Sequence, residues 1–151
     1  MRKHSSISEQ ISCQVAFHDV DLAQVVWHGH YLRYLENARW ALMRAMDFDL
    51  PRMMDSGFLW PIVDLRVKYV HTASYQDQLA VRASLVEWEN RMVINYLVSD
   101  ERDGKRVARA QTIQVAVRSA DRELQLAMPS CFTERVDAFL RNQAQHAGAL
   151  P

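Results

Sequence analysis

From Ile7 to Phe17 the apolar side chains Ile7, Ile11, Cys13, Val15 and Phe17 fall on odd positions, with Glu9 breaking the series. A period of two with polar partners at Ser12 and Gln14 predicts a half-buried strand. After the polar stretch HDVDLAQVVWHGH the period changes. Tyr31, Tyr34, Leu35, Ala38, Leu42, Ala45 and Met46 recur at spacings of three and four, with Arg33, Asn37 and Arg44 on the other side. That pattern predicts an amphipathic helix of about four turns, starting near Gly29 and His30 and ended by the DFDLP segment, where Pro51 forbids continuation. Beyond a short mixed segment, WPIVDLRVKYV alternates as a strand with one apolar face. LAVRASLVEWE and RMVINYLVSDE predict a hairpin around Asn90 and Arg91, and Asp103-Gly104 signals a second one. KRVARAQTIQVAVRS alternates up to a turn near Ala120-Asp121, RELQLAM predicts a weak last strand, and TERVDAFLRNQ predicts a short terminal helix with Thr133 as N-cap.

The order is strand, long helix, then four or five antiparallel strands. It defines an α+β class in which one helix covers one face of a curved antiparallel sheet of five or six strands. Such a sheet keeps a free edge or an uncovered face, so self-association is expected, most simply as a symmetric dimer.

Composition narrows the function classes. The 151 residues are read as a single domain, 1–151, long enough to bury roughly 70% of the unfolded chain's surface. Eighteen basic side chains balance eighteen acidic ones. Bulk electrostatics therefore gather neither nucleic acid nor an acidic membrane, and any anion must be held by a local patch. Only 4 Gly and 4 Pro occur, which leaves no glycine-rich phosphate loop. Cys13 and Cys131 form no CxxC pair and are read as reduced structural thiols. No run approaches the ~18 apolar residues of a membrane span, and the basic start MRKHSSISEQ precedes no apolar core, so a soluble cytoplasmic protein without membrane insertion is expected.

The chemistry is concentrated between Phe17 and Arg39. Two carboxylates, Asp19 and Asp21, precede two imidazoles, His28 and His30, in the connection from the first strand to the long helix. The unpaired N–H groups at the helix start, near His28 and Gly29, suit a carbonyl oxygen that gains negative charge. A carboxylate facing a polarised carbonyl is the minimum set for acyl transfer or hydrolysis. Each group also has a structural reading: the aspartates as turn residues, His28 as a helix cap, Trp27 as a core aromatic. The Asp-x-Asp and His-x-His spacing matches no zinc signature, and no metal or other cofactor is expected. No Gly-x-Ser-x-Gly elbow occurs.

Asp19, Asp21, Val25, Val26, Trp27, His28 and Tyr31, continued by Glu36, Ala38 and Arg39, resemble the signature of the hotdog-fold acyl-CoA thioesterases of the 4-hydroxybenzoyl-CoA thioesterase type, including the branch associated with bacterial Tol–Pal operons. Lys68-Tyr69 and the turn with Ala73, Tyr75 and Asp77 extend the similarity over roughly residues 10 to 125. One departure stands out. Where the family has Ala-Gly-Gly or Pro-Ala-Gly-Ile after the second aspartate, this chain has Leu22-Ala23-Gln24-Val25, which is expected to stiffen the turn and add a polar side chain.

The resemblance implies hydrolysis of an acyl thioester, carried by coenzyme A or acyl carrier protein, to free acid and thiol. Asp21 would be the catalytic carboxylate, as nucleophile or general base. His28 would supply its backbone N–H to the oxyanion and its imidazole to water or substrate. Trp27, Gly29, Tyr31, Trp60 and Lys68 are the expected substrate-binding positions. The acyl group would enter a tunnel beside a neighbouring subunit, with Trp27, Met43, Met46, Phe58 and Trp60 as candidate lining, and Arg66, Lys68, Arg91 and Arg118 as candidate cations for the carrier. A homodimer is expected, with a tetramer as a further assembly. The rival readings are a hotdog protein that binds the thioester without hydrolysis, and a hotdog dehydratase or hydratase.

Overall fold

Strand β1 covers Ser8–Gln14, and its alternating burial follows the period-two pattern. The computed structural model describes residues 7–148; the basic segment 1–6 lies outside it. Helix α1 spans Tyr31–Ala45, preceded by a 3-10 turn at His28–His30. Its buried side chains Tyr31, Tyr34, Leu35, Ala38, Leu42 and Met43 are the three-and-four series of the sequence. The helix closes at Asp47, in the left-handed region at φ 54, with the N–H of Phe48 bonded to the carbonyl of Met43 at 2.9 Å.

Pro51 does more than prevent continuation. It sits in the first turn of a second helix, α2 (Leu50–Asp55), capped by the Asp49 carboxylate. Strands β2 (Phe58–Leu59), β3 (Ile62–Tyr69), β4 (Gln78–Glu87), β5 (Met92–Asp100), β6 (Arg106–Gln114) and β7 (Val117–Arg118) follow. Five of them form an antiparallel sheet in the order β1-β4-β5-β6-β3, while β2 and β7 pair separately. Both hairpins read from the sequence are present: β4 to β5 around residues 88–91, and β5 to β6 through Gly104 at φ 71.

Two expectations need correction. The terminal helix is not short. Helix α3 runs Ser130–Gly148, longer than α1, and begins before Thr133, which lies inside its first turn rather than at the cap. Only Phe132 and Val136 of α3 are buried, so apolar periodicity marked the docked turns and missed the exposed remainder. RELQLAM is not a strand. Leu124 makes a single bridge to Val117, because β6 breaks after Gln114 and the chain leaves the main sheet. β3 is the strand read from the sequence, with Val67 of its apolar face packed against the core, and it runs along the edge of the sheet. Ile62, Val63, Leu65 and Tyr69 are all exposed at the sheet edge.

α1 covers one face of the sheet, packing against β1 and β4. Val81, Ala83, Leu85, Ile94, Tyr96 and Val98 face it and are buried. At the far end of the helix, Phe48 meets Trp60 and Phe132 edge to face and Trp60 packs tilted on Phe132, with ring centroids 5.3–5.8 Å apart, which fastens the start of α3 to the core.

Candidate active site

The connection from β1 to α1 is a tight hairpin built from backbone hydrogen bonds. The N–H of Asp21 donates to the carbonyl of Val25 at 3.0 Å, and the N–H of Trp27 to the carbonyl of Asp19 at 2.9 Å. The N–H of Val26 donates to Ala73 at 2.8 Å, tying the hairpin to the 73–77 turn, itself closed by the Ser74 N–H on the Asp77 carboxylate.

The two aspartates, alike in sequence, have different environments. Asp19 is only 2% exposed. Its carboxylate accepts the Tyr34 hydroxyl at 2.7 Å and the Ala16 N–H at 3.0 Å, and pairs with the Arg33 guanidinium. Burial pushes its pKa up, but the Tyr34 and Ala16 hydrogen bonds and the Arg33 charge outweigh that and hold it below the ordinary aspartate value. Asp21 is exposed at the hairpin. One oxygen accepts the Ala23 N–H at 2.8 Å, and among the described residues the other has no hydrogen-bond partner. Asp19 is thus held on every side, whereas Asp21 keeps an exposed carboxylate oxygen without a partner among the described residues.

Gln24 adopts φ 64. The chain keeps the left-handed turn that a glycine would favour, with the Gln24 N–H on the carbonyl of Asp21 at 2.9 Å. The turn geometry therefore survives the substitution, at the expense of backbone strain.

At the helix start, Trp27 lies across Gly29 so closely that a Cβ there would meet its ring carbons at 2.3–2.8 Å, so any side chain at this position displaces the Trp27 ring. The Trp27 ring is 4.9 Å from that of His28 and 5.2 Å from that of His30, and Trp27 remains 45% exposed. The Tyr69 hydroxyl donates to the His28 carbonyl at 2.7 Å and fixes the turn from β3. The first N–H groups of this turn have no acceptor within a helix. Tyr31 is buried against Tyr34 and Tyr69 and serves the packing beneath the hairpin.

The other expected positions are divided. Met43, Phe58 and Trp60 line a cavity of about 350 Å³ together with Met53, Met54 and Gln114. Met46 is buried near them in the core, and Trp27 is not part of this cavity. Trp60 Nε1 and Gln114 Oε1 are buried there without a hydrogen-bond partner among the described residues. The cavity lies at the Ile62 end of β3 and the hairpin at its Tyr69 end, about 23 Å apart by strand rise. Lys68 projects from the sheet face opposite α1. Arg66, Arg91 and Arg118 each carry a local carboxylate partner: Asp64, Glu87 and Asp121 respectively. Among the described residues no three His, Cys, Asp or Glu side chains gather as a metal-ligand set, no helix is long and apolar enough to cross a membrane, and both cysteines are free.

Residue pattern alone did not separate the two aspartates, which the family resemblance did, and it missed Arg33, Tyr34 and Tyr69 as positioning residues. One signal was available: Tyr34 places a hydroxyl on the buried helix face, which demands a polar partner.

Two predictions follow from this geometry. Asp19→Ala leaves the Tyr34 hydroxyl, the Ala16 N–H and Arg33 unpaired, and is expected to lower unfolding free energy by about 3 kcal/mol. Because the folded pKa is depressed, this stabilisation is complete above the ordinary aspartate value of about 3.9 and is lost as pH falls through the folded value. Denaturant titrations should show a constant gap between wild type and variant from neutrality to about pH 4, closing below it; a gap undiminished in stronger acid would contradict the clamp. Gln24→Gly should raise stability by up to about 1 kcal/mol through relief of the left-handed strain; a fall on urea unfolding would show that the Gln24 side chain offsets it.

Residues 15–143 match the family described as the Thioesterase-like superfamily. A putative esterase of Synechocystis sp. is 34% identical over 92 residues, which is 56% of this chain and 55% of that protein, so the match spans about half of the relative's length. 4-Hydroxybenzoyl-CoA thioesterase of Pseudomonas sp. is 27% identical over 129 residues, 80% of this chain and 92% of that protein. Among solved structures, a mutant 4-hydroxybenzoyl CoA thioesterase complexed with 4-hydroxybenzoyl CoA superimposes with a TM-score of 0.72 at 26% identity, covering 86% of this chain and 99% of the other. A 1,4-dihydroxy-2-naphthoyl-CoA thioesterase from Synechocystis has a TM-score of 0.78 at 22% identity, over 86% and 96% of the two chains, a likeness of fold. With a matching stretch that takes in the hairpin, the long helix and the whole sheet beyond β1, this hotdog-fold chain belongs to the thioesterase-like superfamily.

Proposed function

We propose that the protein hydrolyses an acyl thioester, with Asp21 as the reacting carboxylate. The observation that carries this reading is the contrast within the hairpin: Asp19 is fully engaged, whereas Asp21, near the tip of the hairpin that leads into the helix, keeps one oxygen without a partner among the described residues. A thioester carbonyl is reactive enough for a carboxylate and oriented N–H groups to suffice. Asp21 either attacks the carbonyl carbon, giving a mixed anhydride that water then cleaves, or takes a proton from the attacking water. In both routes the carbon–sulfur bond breaks and the thiol leaves with its carrier. The N–H groups of His28 and Gly29 hold the oxyanion, and the exposed His28 imidazole orients water. Trp27 packs the reacting group against the helix start.

The acyl group belongs in the cavity lined by Met43, Phe58 and Trp60, where Met53 and Met54 adapt to its shape. Within one chain that cavity is too distant from Asp21, which supports a homodimer as the active form. β3 is an edge strand of eight residues without internal proline, and its exposed Val63, at 59%, and Leu65 favour pairing. Antiparallel pairing of two β3 edges lays the Ile62 end of one beside the Tyr69 end of the other, so each cavity meets the partner's hairpin.

Asp21→Asn should fold normally and lose thiol release by about 10²–10⁴-fold across acyl-CoA thioesters; turnover near wild type would remove Asp21 from the mechanism. Val63→Lys combined with Leu65→Lys should halve the mass in solution and reduce thiol release at least tenfold; a fully active monomer would refute the shared site.

A further inference from the structure

The sheet face opposite α1 carries a shallow groove of about 960 Å³, lined by Arg66, Lys68, Arg82, Arg106 and Arg109 together with neutral residues. No carboxylate is among its lining residues. The register sets Lys68 directly opposite Arg109, Arg109 opposite Leu97, and Leu97 opposite Arg82, so three cations form one belt across four strands. Directly opposed like charges on neighbouring strands destabilise a sheet. Among the described residues the cations of the groove find little relief: Arg66 pairs with Asp64, and Arg82 is hydrogen-bonded to the Ser8 hydroxyl. In a chain of net charge +0, this is a local concentration of charge with an uncompensated cost.

We infer that this face docks an acidic carrier-protein domain that presents the acyl group on a phosphopantetheine arm. The inference rests on the thioesterase reading and names the carrier. Charge complementarity selects the occupant. A second copy of the same face would set cations against cations, which disfavours a sheet-to-sheet tetramer. A single phosphate cluster needs donors that converge, whereas Lys68 and Arg82 stand three strand spacings apart, about 14 Å. The cations are spread as a protein surface requires. The groove is also continuous with the site: Lys68 precedes Tyr69, whose hydroxyl holds His28, and Arg106 is bonded through its carbonyl to His71 at 2.7 Å, at the hairpin end of the sheet.

The test uses the full-length protein and purified holo acyl carrier protein without an acyl group, so that binding is read independently of hydrolysis. Calorimetric titration at low ionic strength should show binding that weakens with added salt. Arg82→Glu with Arg109→Glu should weaken it at least tenfold, and Arg82→Gln with Arg109→Gln less so. The charge-reversed protein should keep wild-type thiol release from an acyl-CoA while its KM for the same acyl group on carrier protein rises about tenfold. Melting temperatures of both variants at or above wild type would exclude misfolding as the cause. Binding without hydrolysis of any thioester would sink the activity and leave the docking surface standing. Absence of wild-type binding, an equal loss with both carriers, or a wild-type tetramer that dissociates on charge reversal would each overturn the inference.

Discussion

The site depends on one buried carboxylate. Asp19 joins three parts of the chain: the end of β1 through the Ala16 N–H, the hairpin through its own carbonyl on the Trp27 N–H, and α1 through Arg33 and Tyr34. A carboxylate withdrawn from water is costly unless its acceptor sites are filled, so this position tolerates little freedom. Its rigidity is passed to a neighbour two residues on. Asp21 needs no network of its own, because the hairpin is already fixed on both sides.

The same economy governs the helix start. Trp27 lies on Gly29, and Tyr69 reaches across from β3 to hold the His28 carbonyl, so the orientation of these N–H groups is set by packing from outside the turn. Gln24 illustrates the opposite case. It holds a left-handed conformation without the residue best suited to it, and the hydrogen bonds around Asp21 maintain the turn nonetheless. The departure from the family pattern at Gln24 is therefore a polar side chain carried on a left-handed turn.

Much of this architecture was legible in the sequence where periodicity and burial coincide. The spacing of Tyr31, Tyr34, Leu35, Ala38 and Leu42 marked α1 because that helix is covered along its whole inner face. α3 was read short because only Phe132 and Val136 are buried, and a solvated turn leaves no apolar signature. α2 was hidden by Pro51, which is equally a stop signal and a first-turn residue. The alternation of β3 marked its apolar face, but alternation alone does not distinguish an edge strand from a central one, and at the edge that face stays partly exposed. For the site, Asp-x-Asp and the helix start were visible and the resemblance singled out Asp21, whereas the contacts that set the two aspartates apart were not. The difference between Asp19 and Asp21 resides in Arg33 and Tyr34, fourteen and fifteen residues away from Asp19, and in the backbone path that brings them back.

The central claim, that Asp19 is structural and Asp21 reactive, is tested most directly by site-resolved carboxylate modification. The protein would be treated with a water-soluble carbodiimide and an amine, and label at each aspartate followed by peptide mapping alongside thiol release from an acyl-CoA. The account predicts that activity falls in step with label at Asp21 while Asp19 stays unmodified in the folded protein. Full labelling of Asp21 with undiminished thiol release, or label at Asp19 preceding that at Asp21, would contradict it.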